Sequence, residues 1–347
     1  MPTVFSCPVP PELRLCPREQ VEHHYGTGPV TAWTAHLVAP APVAPVDRGP
    51  VPTLSVLIPA YNAADTIGEA LESVLTQRPA PLEVVVSDDG SEDDLTGVLA
   101  GFGGRVRVVR GPNRGLATAR NRAAAAARGE LLGLLDADDV WLPGRAAALT
   151  QVAAARPDLC IITTDAWVTQ DGKPDPASYY GLRHFEVDDQ AEYILRENFI
   201  FGAGAVRARA LAQVGGYDPA ARCAEDWDLW LRLIHSGHRA GMVDAPLYEY
   251  RRHTGSLSNR KVDLALGVLA VLERARPLVS DGRHAAVLAQ TGREWRVSAA
   301  RFARQARDAR RQRLVLAALR AKDQPLGARA LSLAYGVVPA RIRRRPR

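Results

Sequence analysis

The sequence has little cysteine and no long apolar run. Its four cysteines are scattered, with no CxxC pair and no zinc-finger spacing (Cys7, Cys16, Cys160 and Cys223). That distribution argues against a disulfide framework and favours a reducing compartment. No window reaches the roughly 18 apolar residues that a bilayer-spanning helix requires, and the first residues lack the basic start and apolar stretch of a signal peptide. We therefore expect a cytoplasmic protein.

Acidic residues become scarce towards the end of the chain. The formal net charge of the 347 residues is +6, but residues 283–347 hold 17 Arg or Lys and only three acidic residues. That segment therefore carries +14, which leaves −8 for residues 1–282. Hydrophobic content of 47% and charged content of 24% are ordinary for a globular protein. We expect one acidic domain of catalytic size with a basic appendage.

Proline and helical patterning divide the chain into three regions. Residues 37–52 are so rich in proline that neither a helix nor a central strand is expected there. From about residue 260 onward the pattern is helical and increasingly rich in arginine. We therefore predict a Pro-rich N-terminal arm over 1–52, a main domain over 53–258 and a helical basic C-terminal region over 259–347.

Short apolar runs alternate with helical patterns in the predicted main domain. "LSVLIPAYN" (54–62), "LEVVVSDDGS" (82–91) and "ELLGLLDADD" (130–139) have the composition of buried strands, and helical spacing lies between them. The alternation predicts an α/β fold with a doubly wound, mainly parallel sheet. Ligands bind such sheets at the carboxyl ends of the strands. Polar clusters stand at three of these ends: Tyr61-Asn62, Asp88 to Ser91, and Asp136 to Asp139.

Three carboxylates follow one of the predicted strands directly. Asp136, Asp138 and Asp139 would repel one another at the crevice unless a positive charge lay among them. Hard oxygen ligands suit Mg²⁺ or Mn²⁺, usually shared with a phosphate-bearing substrate. The competing interpretation is that these aspartates cap the following helix. Repulsion within the Asp-x-Asp-Asp stretch favours the metal.

Three further groups have both a functional and a structural interpretation. Asp88 and Asp89 form an Asx-type turn or accept a nucleobase imide N–H. Glu225 and Asp226, at a predicted helix start, complement the helix dipole or supply a general base. His253 follows a predicted strand and is a surface residue or a ligand. The residues alone leave these alternatives open.

Six stretches together, in their order, carry a family resemblance. They are "VLIPAYNAADTIGEALESVLTQ", "VVVSDDGSEDD", "NRGLATARNRAAAAARGELLGLLDADDVWLP", "FGAGAVRARALAQVGGYDP", "AEDWDLWLRL" and "YRRHTGSLS". They resemble the motifs of the inverting glycosyltransferases of family 2, which have the A-type nucleotide-diphospho-sugar transferase (GT-A, Rossmann-like) fold. The likeness covers about residues 53–258 and implies that this region is the catalytic domain.

The resemblance implies an activity and a cofactor. The enzyme would move a sugar from a nucleoside-diphosphate sugar, linked to UDP or dTDP, to an acceptor hydroxyl, with Mn²⁺ or Mg²⁺ as cofactor. The acceptor would be a glycan, a lipid-linked molecule or a small metabolite. Processive members carry a Gln-x-x-Arg-Trp motif and membrane spans, and this sequence has neither. A nonprocessive enzyme is therefore implied.

The resemblance also implies a role for each matching position. Asp226 would be the base and Glu225 the acceptor-side carboxylate, while Asp138 and His253 would hold the metal. Within the donor site, Asp89 would read the base, Asp136 would contact the ribose and Arg120 the pyrophosphate. The donor-binding set is Pro59, Tyr61, Asn62, Asp88, Asp89, Arg120, Asp136, Gly202 and Gly204.

Two alternatives to a glycosyltransferase compete with this prediction. A nucleotidyltransferase that makes nucleotide sugars would carry a Gly-rich loop with Arg and Lys after the first strand, where this sequence reads "AYNA". A noncatalytic nucleotide-sugar-binding homologue would keep the fold without turnover. The intact Asp136, Asp138, Asp226 and His253 argue against that homologue.

The basic C-terminal region has its own alternatives. Nucleic-acid binding is not expected, because few aromatic residues interleave with its arginines and no nucleic-acid motif is present. Between residues 293 and 320, Trp295, Ala299 and Phe302 keep helical spacing while arginines lie on another side. Such a helix lies on an anionic membrane surface, or its apolar face packs back on the domain. The first alternative places the protein peripherally at the inner face of the membrane.

Overall fold

The structure, a computed structural model, describes residues 5–6, 36–41, 50–253 and 260–305. Within those ranges the strands join in one mixed sheet, with helices packed on its faces. The strands are β1 (Phe5–Ser6), β2 (His36–Val38), β3 (Leu54–Ala60), β4 (Glu83–Asp88), β5 (Arg107–Arg110), β6 (Leu131–Leu134), β7 (Val140–Trp141), β8 (Leu159–Gln170), β9 (Lys173–Pro174), β10 (Ala205–Arg207) and β11 (Arg239–Arg252).

The helices follow the predicted alternation with the strands. Over the described residues they are α1 (Ile67–Leu75), α2 (Leu95–Ala100), α3 (Leu116–Ala126), α4 (Arg145–Ala155), α5 (Gln190–Arg196), α6 (Ala208–Gln213), α7 (Glu225–His235), α8 (Lys261–Ala275) and α9 (Gly282–Gln305). Short 3₁₀ turns lie at Gly103–Arg105 and Arg276–Leu278. The α/β fold with a helical C-terminal region is confirmed.

The order of the strands puts several chain segments at one edge of the sheet. The order is β1-β2-β11-β8-β10-β6-β3-β4-β5, with β7 paired to β11 and β9 paired to β8. The block β6-β3-β4-β5 is parallel, as is the β8-β11 pair. Between these parallel parts, β10 runs antiparallel to both β6 and β8. The chain segment that enters β10 therefore meets the carboxyl ends of β3, β4 and β6.

Alternating strand residues build a core on each side of the sheet. Leu57 and Val85 belong to one apolar cluster, whereas Val56 and Ile58 belong to the other. All four side chains are fully buried, which is why the strand sequences are continuous apolar runs. Packing on both faces of the sheet holds the carboxyl ends of β3, β4 and β6 in place. The polar residues that follow these strands therefore have fixed positions.

The C-terminal helices α8 and α9 pack against the main domain and against each other. Trp295 of α9 packs against the apolar cluster that includes Trp227 of the main domain. Trp295 and Phe302 also lie against Ala265 and Leu269 of α8 and Ala299 of α9. The packing alternative is therefore confirmed for residues 293–305, and the remainder of 293–320 lies outside the described residues, as does most of the Pro-rich arm. In the described ranges, no helix combines the length and the apolar character that crossing a bilayer requires.

Candidate active site

A cleft of about 1100 Å³ opens at the edge of the sheet where β3, β4 and β6 end. Its wall includes residues from the chain segment before β10, from the start of α7 and from the end of β11. The predicted site residues that line it are Pro59, Tyr61, Asn62, Asp89, Arg120, Asp136, Asp138, Gly202, Glu225, Asp226 and His253. The topology thus collects side chains that are up to almost 200 positions apart in the sequence.

Two predicted donor-binding residues, Asp88 and Gly204, do not line this cleft. The Asp88 carboxylate accepts a hydrogen bond from the backbone N–H of Ser91 at 2.9 Å and lies 3.7 Å from Arg110 Nε. It therefore stabilises the turn after β4. A Cβ atom on Gly204 would lie 3.2 Å from the carbonyl oxygen of Ile162. Gly204 thus allows close approach of the backbone to β8.

Asp89 is buried and holds the loop that leads into α3. Its Oδ2 accepts hydrogen bonds from the backbone N–H groups of Arg114 at 3.1 Å and Gly115 at 2.7 Å. Arg122 Nη2 lies 3.3 Å from its Oδ1. The side chain therefore has a structural role at the wall of the cleft, whatever further group it contacts.

Tyr61 and Asn62 form the rim after β3. Tyr61 is exposed, and Asn62 adopts a left-handed backbone conformation with φ of 50°. The N–H of Asn62 donates to Ser91 Oγ at 3.0 Å, and its Oδ1 accepts from the N–H of Glu92 at 2.8 Å. These bonds join the loop after β3 to the loop after β4, so the two loops form one wall.

Arg120 is a buried bridge between two carboxylates of the cleft. Its Nη1 donates to Glu225 Oε1 at 2.8 Å and its Nη2 to Asp136 Oδ1 at 2.9 Å. The guanidinium also lies 5.5 Å above the ring of Tyr217. Burial by itself would lower the pKa of Arg120, but the two carboxylates raise it above its ordinary value. Both Nη groups donate to carboxylates that also line the cleft, and a contact of Arg120 with the pyrophosphate stays a prediction.

The acidic pair Glu225 and Asp226 starts α7 inside the cleft. Asp226 Oδ2 accepts from Asn198 Nδ2 at 3.0 Å, and its Oδ1 accepts from the N–H of Trp227 at 2.7 Å. Burial raises the pKa of the Asp226 carboxyl. Burial also raises the pKa of Glu225 to about 7, although Arg120 opposes that rise. Both acids are thus more basic than they would be in water.

Gly202 makes room for the Asp226 carboxylate. A Cβ atom at this position would lie 2.6 Å from Asp226 Oδ2, which no real structure tolerates without movement. Gly202 is therefore required on steric grounds, because a larger side chain would collide with the Asp226 carboxylate of α7. Sequence patterns indicated a glycine-rich turn there but did not identify Asp226 as its neighbour.

Asp138 and His253 form a pair at the ends of β6 and β11. Asp138 Oδ2 lies 3.1 Å from His253 Nε2. Burial and Asp136 raise the pKa of Asp138, whereas the hydrogen bond to His253 lowers it. Among the described residues, no group of three His, Cys, Asp or Glu side chains could hold a metal ion by itself. One carboxylate and substrate phosphates would nevertheless supply the oxygen ligands that Mg²⁺ and Mn²⁺ prefer, and His253 would add one imidazole nitrogen.

The third carboxylate of the strand-end motif, Asp139, is structural. It is 2% exposed, and it accepts from Tyr248 Oη and from the N–H of Arg251, each at 2.7 Å. Tyr248 Oη in turn accepts from the N–H of Asp136 at 3.3 Å. Burial raises the pKa of Asp139 well above its ordinary value. Asp139 therefore ties the end of β6 to the end of β11, the two segments that carry Asp138 and His253.

Sequence reasoning missed several residues of the cleft. Asn198, which donates to Asp226, lies in a segment with no motif. Tyr179 lines the cleft, and burial raises its pKa to about 12. Trp295 of α9 also lines it, although the sequence indicated only an apolar helix face. No local signal separates these residues from ordinary core or loop positions.

Sequence comparisons identify relatives of this chain. A family model described as Glycosyl transferase family 2 matches residues 55–215. The succinoglycan biosynthesis protein ExoU of Rhizobium meliloti (strain 1021) is 34% identical over 224 residues, which are 60% of this chain and 65% of ExoU. The chain thus spans just under two thirds of that relative. The putative teichuronic acid biosynthesis glycosyltransferase TuaG of Bacillus subtilis (strain 168) is 30% identical over 215 residues, 60% of this chain and 83% of TuaG.

Solved structures share the fold. The crystal structure of S. aureus TarS 1–349 in complex with UDP-GlcNAc superposes with a TM-score of 0.57. The match covers 82% of this chain and 92% of TarS 1–349, at 19% sequence identity. At this identity the likeness concerns the fold, which is the GT-A arrangement of strands and helices.

Proposed function

The chain belongs to glycosyltransferase family 2, and from that premise we propose that it transfers one sugar from a nucleoside-diphosphate sugar to an acceptor hydroxyl. We propose UDP or dTDP as the nucleotide, inversion at the anomeric carbon and a nonprocessive reaction. Membership of this family favours sugar transfer over the nucleotidyltransferase alternative. The relatives named for succinoglycan and teichuronic acid biosynthesis support a glycan acceptor, free or lipid-linked, of a cell-envelope polysaccharide.

The position of Asp226 carries this proposal. Its carboxylate lies in the cleft beside Gly202, is oriented by Asn198 and has a raised pKa through burial. A general base must combine a fixed geometry with a pKa that approaches the working pH. Asp226 has a fixed geometry, and burial shifts its pKa in the direction that a general base requires. Of the two acids at the start of α7, Glu225 accepts a hydrogen bond from Arg120, whereas Asp226 accepts one from Asn198.

The reaction would be a direct displacement. The acceptor oxygen forms a bond to the anomeric carbon while the bond from that carbon to the diphosphate oxygen breaks, and the nucleoside diphosphate leaves with the electron pair. Asp226 takes the acceptor proton late, because a carboxylate is too weak a base to ionise a free hydroxyl first. One base on the face opposite the leaving group suffices, so the anomeric centre inverts.

The remaining residues of the cleft would bind and orient the donor. The wall formed by the loops after β3 and β4, with Pro59, Tyr61 and Asp89, supports the nucleoside. Arg120 keeps Asp136 and Glu225 at fixed positions and compensates their charge. Asp138 and His253 would hold Mn²⁺ or Mg²⁺, which when bound offsets negative charge on the leaving diphosphate. Asp139 and Tyr248 hold the backbone around that pair.

Substitution of the base tests the proposal. A panel of UDP- and dTDP-sugars is screened for nucleotide release with water as acceptor, and donor affinity is measured by calorimetry. Asp226→Asn should bind the donor within about threefold of wild type and lose about 10²- to 10⁴-fold in turnover. Asp65→Asn, an exposed carboxylate of the same cleft, is the control and should retain turnover. More than a tenth of wild-type turnover in Asp226→Asn would refute the assignment of the base. A wild-type protein that binds donors but releases no nucleotide would support the noncatalytic homologue instead.

Donor binding with and without Mn²⁺ tests the metal pair. Wild-type affinity for the chosen donor should rise at least about tenfold with Mn²⁺, because the ion held by Asp138 and His253 would offset the negative charge of the diphosphate. Asp138→Ala should lose that increase and keep the melting temperature of the metal-free protein within a few degrees. Equal donor affinity with and without Mn²⁺ in the wild type would show that Asp138 and His253 do not form a metal site.

A further inference from the structure

The C-terminal helices form part of the cleft that contains the proposed base. Leu264 and Val268 of α8 and Trp295 of α9 line it together with Asp226 and Trp227. These helices lie beyond residues 55–215, the segment that matches the family. The C-terminal region is therefore a wall of this chain's own active site, in addition to being an appendage of the sheet domain.

Trp295 is the aromatic residue of this wall that faces the open cleft. Its ring centroid lies 6.2 Å from that of Trp227, at an interplanar angle of 62°. Trp227 is 4% exposed, and its Nε1 donates to the carbonyl of Ile194 at 2.7 Å, so its ring is committed to the core. Trp295 is half-buried and keeps part of its surface open. Edge-to-face packing on Trp227 fixes its orientation.

We propose that Trp295 is a specificity-determining residue which binds the acceptor sugar by stacking against the apolar face of its ring. This inference rests on the proposed function, because it takes Asp226 as the group that receives the acceptor proton. Trp227 follows Asp226 directly in the chain and contacts Trp295. Trp295, which packs edge-to-face on Trp227, therefore lines the same cleft as the proposed base.

The cleft that this wall shares with the base favours a sugar ring as the occupant, rather than a more distant part of the acceptor. Hydrogen-bond reach to Asp226 places the reacting hydroxyl within about 3 Å of its carboxylate. The atoms next to that hydroxyl are the carbon atoms of the same sugar ring. The C–H groups of that ring are apolar, and Trp295, in contact with Trp227, offers them an aromatic surface within the same cleft. Leu264 and Val268 extend the same apolar surface.

Phe302 offers a matched control on the same helix face. It lies seven residues after Trp295, two turns along α9, and packs on the same cluster of Ala265, Leu269 and Ala299. It does not line the cleft, whereas Trp295 does. Truncation of either side chain removes aromatic packing between α8 and α9. Only truncation of Trp295 also removes surface from the cleft that contains Asp226.

The experiment compares Trp295→Ala, Trp295→Phe and Phe302→Ala in the full-length protein. Nucleotide release from the preferred donor is measured with water alone and with methyl pyranosides, including the methyl glucoside and galactoside, and with their octyl counterparts. Trp295→Ala should raise the KM for the stimulating methyl pyranoside at least about fivefold. Its hydrolysis rate with water and its donor affinity should stay within twofold of wild type. Trp295→Phe should recover most of the acceptor affinity, and Phe302→Ala should alter the melting temperature only.

Four other outcomes would overturn the inference, and a fifth would refute the proposed function. An unchanged acceptor KM in folded Trp295→Ala would exclude stacking on Trp295, and an equal KM rise in Phe302→Ala would attribute the effect to helix packing. Stimulation by octyl but not methyl pyranosides would assign the wall to an alkyl chain. Stimulation by no pyranoside over water would exclude a sugar ring as the occupant. Failure of the wild type to release nucleotide from any donor would instead refute the proposed function, which this assay measures separately.

Discussion

Removal of the buried bridge at Arg120 should destabilise the protein strongly. Arg120 is 3% exposed and contacts Glu225 at 2.8 Å and Asp136 at 2.9 Å. In Arg120→Met the aliphatic volume is retained, but Glu225, which is 8% exposed, loses the cation that offsets its burial and must either take up a proton or carry an unpaired charge. Asp136 is more accessible to water, so the loss of Arg120 costs this carboxylate less free energy. Loss of one partner from a buried ion pair costs about 3–5 kcal/mol, and we expect the free energy of unfolding to fall by an amount that approaches this size at alkaline pH, where Glu225 must ionise without a partner.

The loss of stability should depend on pH in a defined direction. Burial raises the pKa of Glu225 to about 7 even with Arg120 beside it, and that guanidinium opposes the rise. Arg120→Met therefore moves the pKa of Glu225 further up. A carboxyl with a raised pKa in the folded state stabilises folding at low pH, and this stabilisation is lost as the pH rises through the folded pKa. In wild type that loss is complete slightly above pH 7, whereas in the variant it continues at higher pH. The variant should thus differ more from wild type at pH 9 than at pH 6.

Urea unfolding followed by tryptophan fluorescence measures both effects. Arg105→Met serves as the control, because Arg105 pairs with Glu72 at 3.6 Å on the exposed surface and should change the free energy of unfolding by less than about 1 kcal/mol. Arg120→Met/Glu225→Gln should be more stable than Arg120→Met by about 1–3 kcal/mol, since the unpaired charge is gone. A pH-independent difference, or a double variant no more stable than the single one, would refute the reasoning.

Two further substitutions test contacts in the cleft. Gly202→Ala places a Cβ atom 2.6 Å from Asp226 Oδ2, so we expect kcat to fall at least about tenfold while the melting temperature changes little, because a side-chain carboxylate can move. Gly68→Ala, whose added Cβ meets no atom within 4 Å, is the control. An unchanged kcat in Gly202→Ala would show that Asp226 is not crowded. Tyr248→Phe removes the hydroxyl that bonds both the Asp139 carboxylate and the N–H of Asp136. We expect the free energy of unfolding to fall by about 1.5–3 kcal/mol in urea titrations. A loss below about 0.5 kcal/mol would mean that these bonds contribute little.

Residues near the strand ends were predictable because each followed a local pattern. Asp136 and Asp138 come after a continuous apolar run, and such runs in an α/β chain end at the ligand edge of the sheet. Glu225 and Asp226 precede a helix with an apolar face, and the structure begins α7 at Glu225. Each of these positions depends on hydrophobic periodicity over a few residues. The same rule placed Asp88 and Asp89 at one strand end, but it did not show that Asp88 faces away from the cleft.

By itself, the sequence determined the alternation of strands and helices, the edge of the sheet at which polar residues gather and the family to which the chain belongs. Those properties follow from short-range patterning and from motifs in a fixed order. Only the tertiary structure decided that Arg120 bridges Glu225 and Asp136, that Gly202 adjoins Asp226 and that Trp295 reaches the cleft. Arg120 and Glu225 are 105 positions apart in the chain. Contacts of that kind depend on the order of the strands in the sheet and on how the helices dock. Many weak packing interactions together determine both, and no local sequence pattern encodes them.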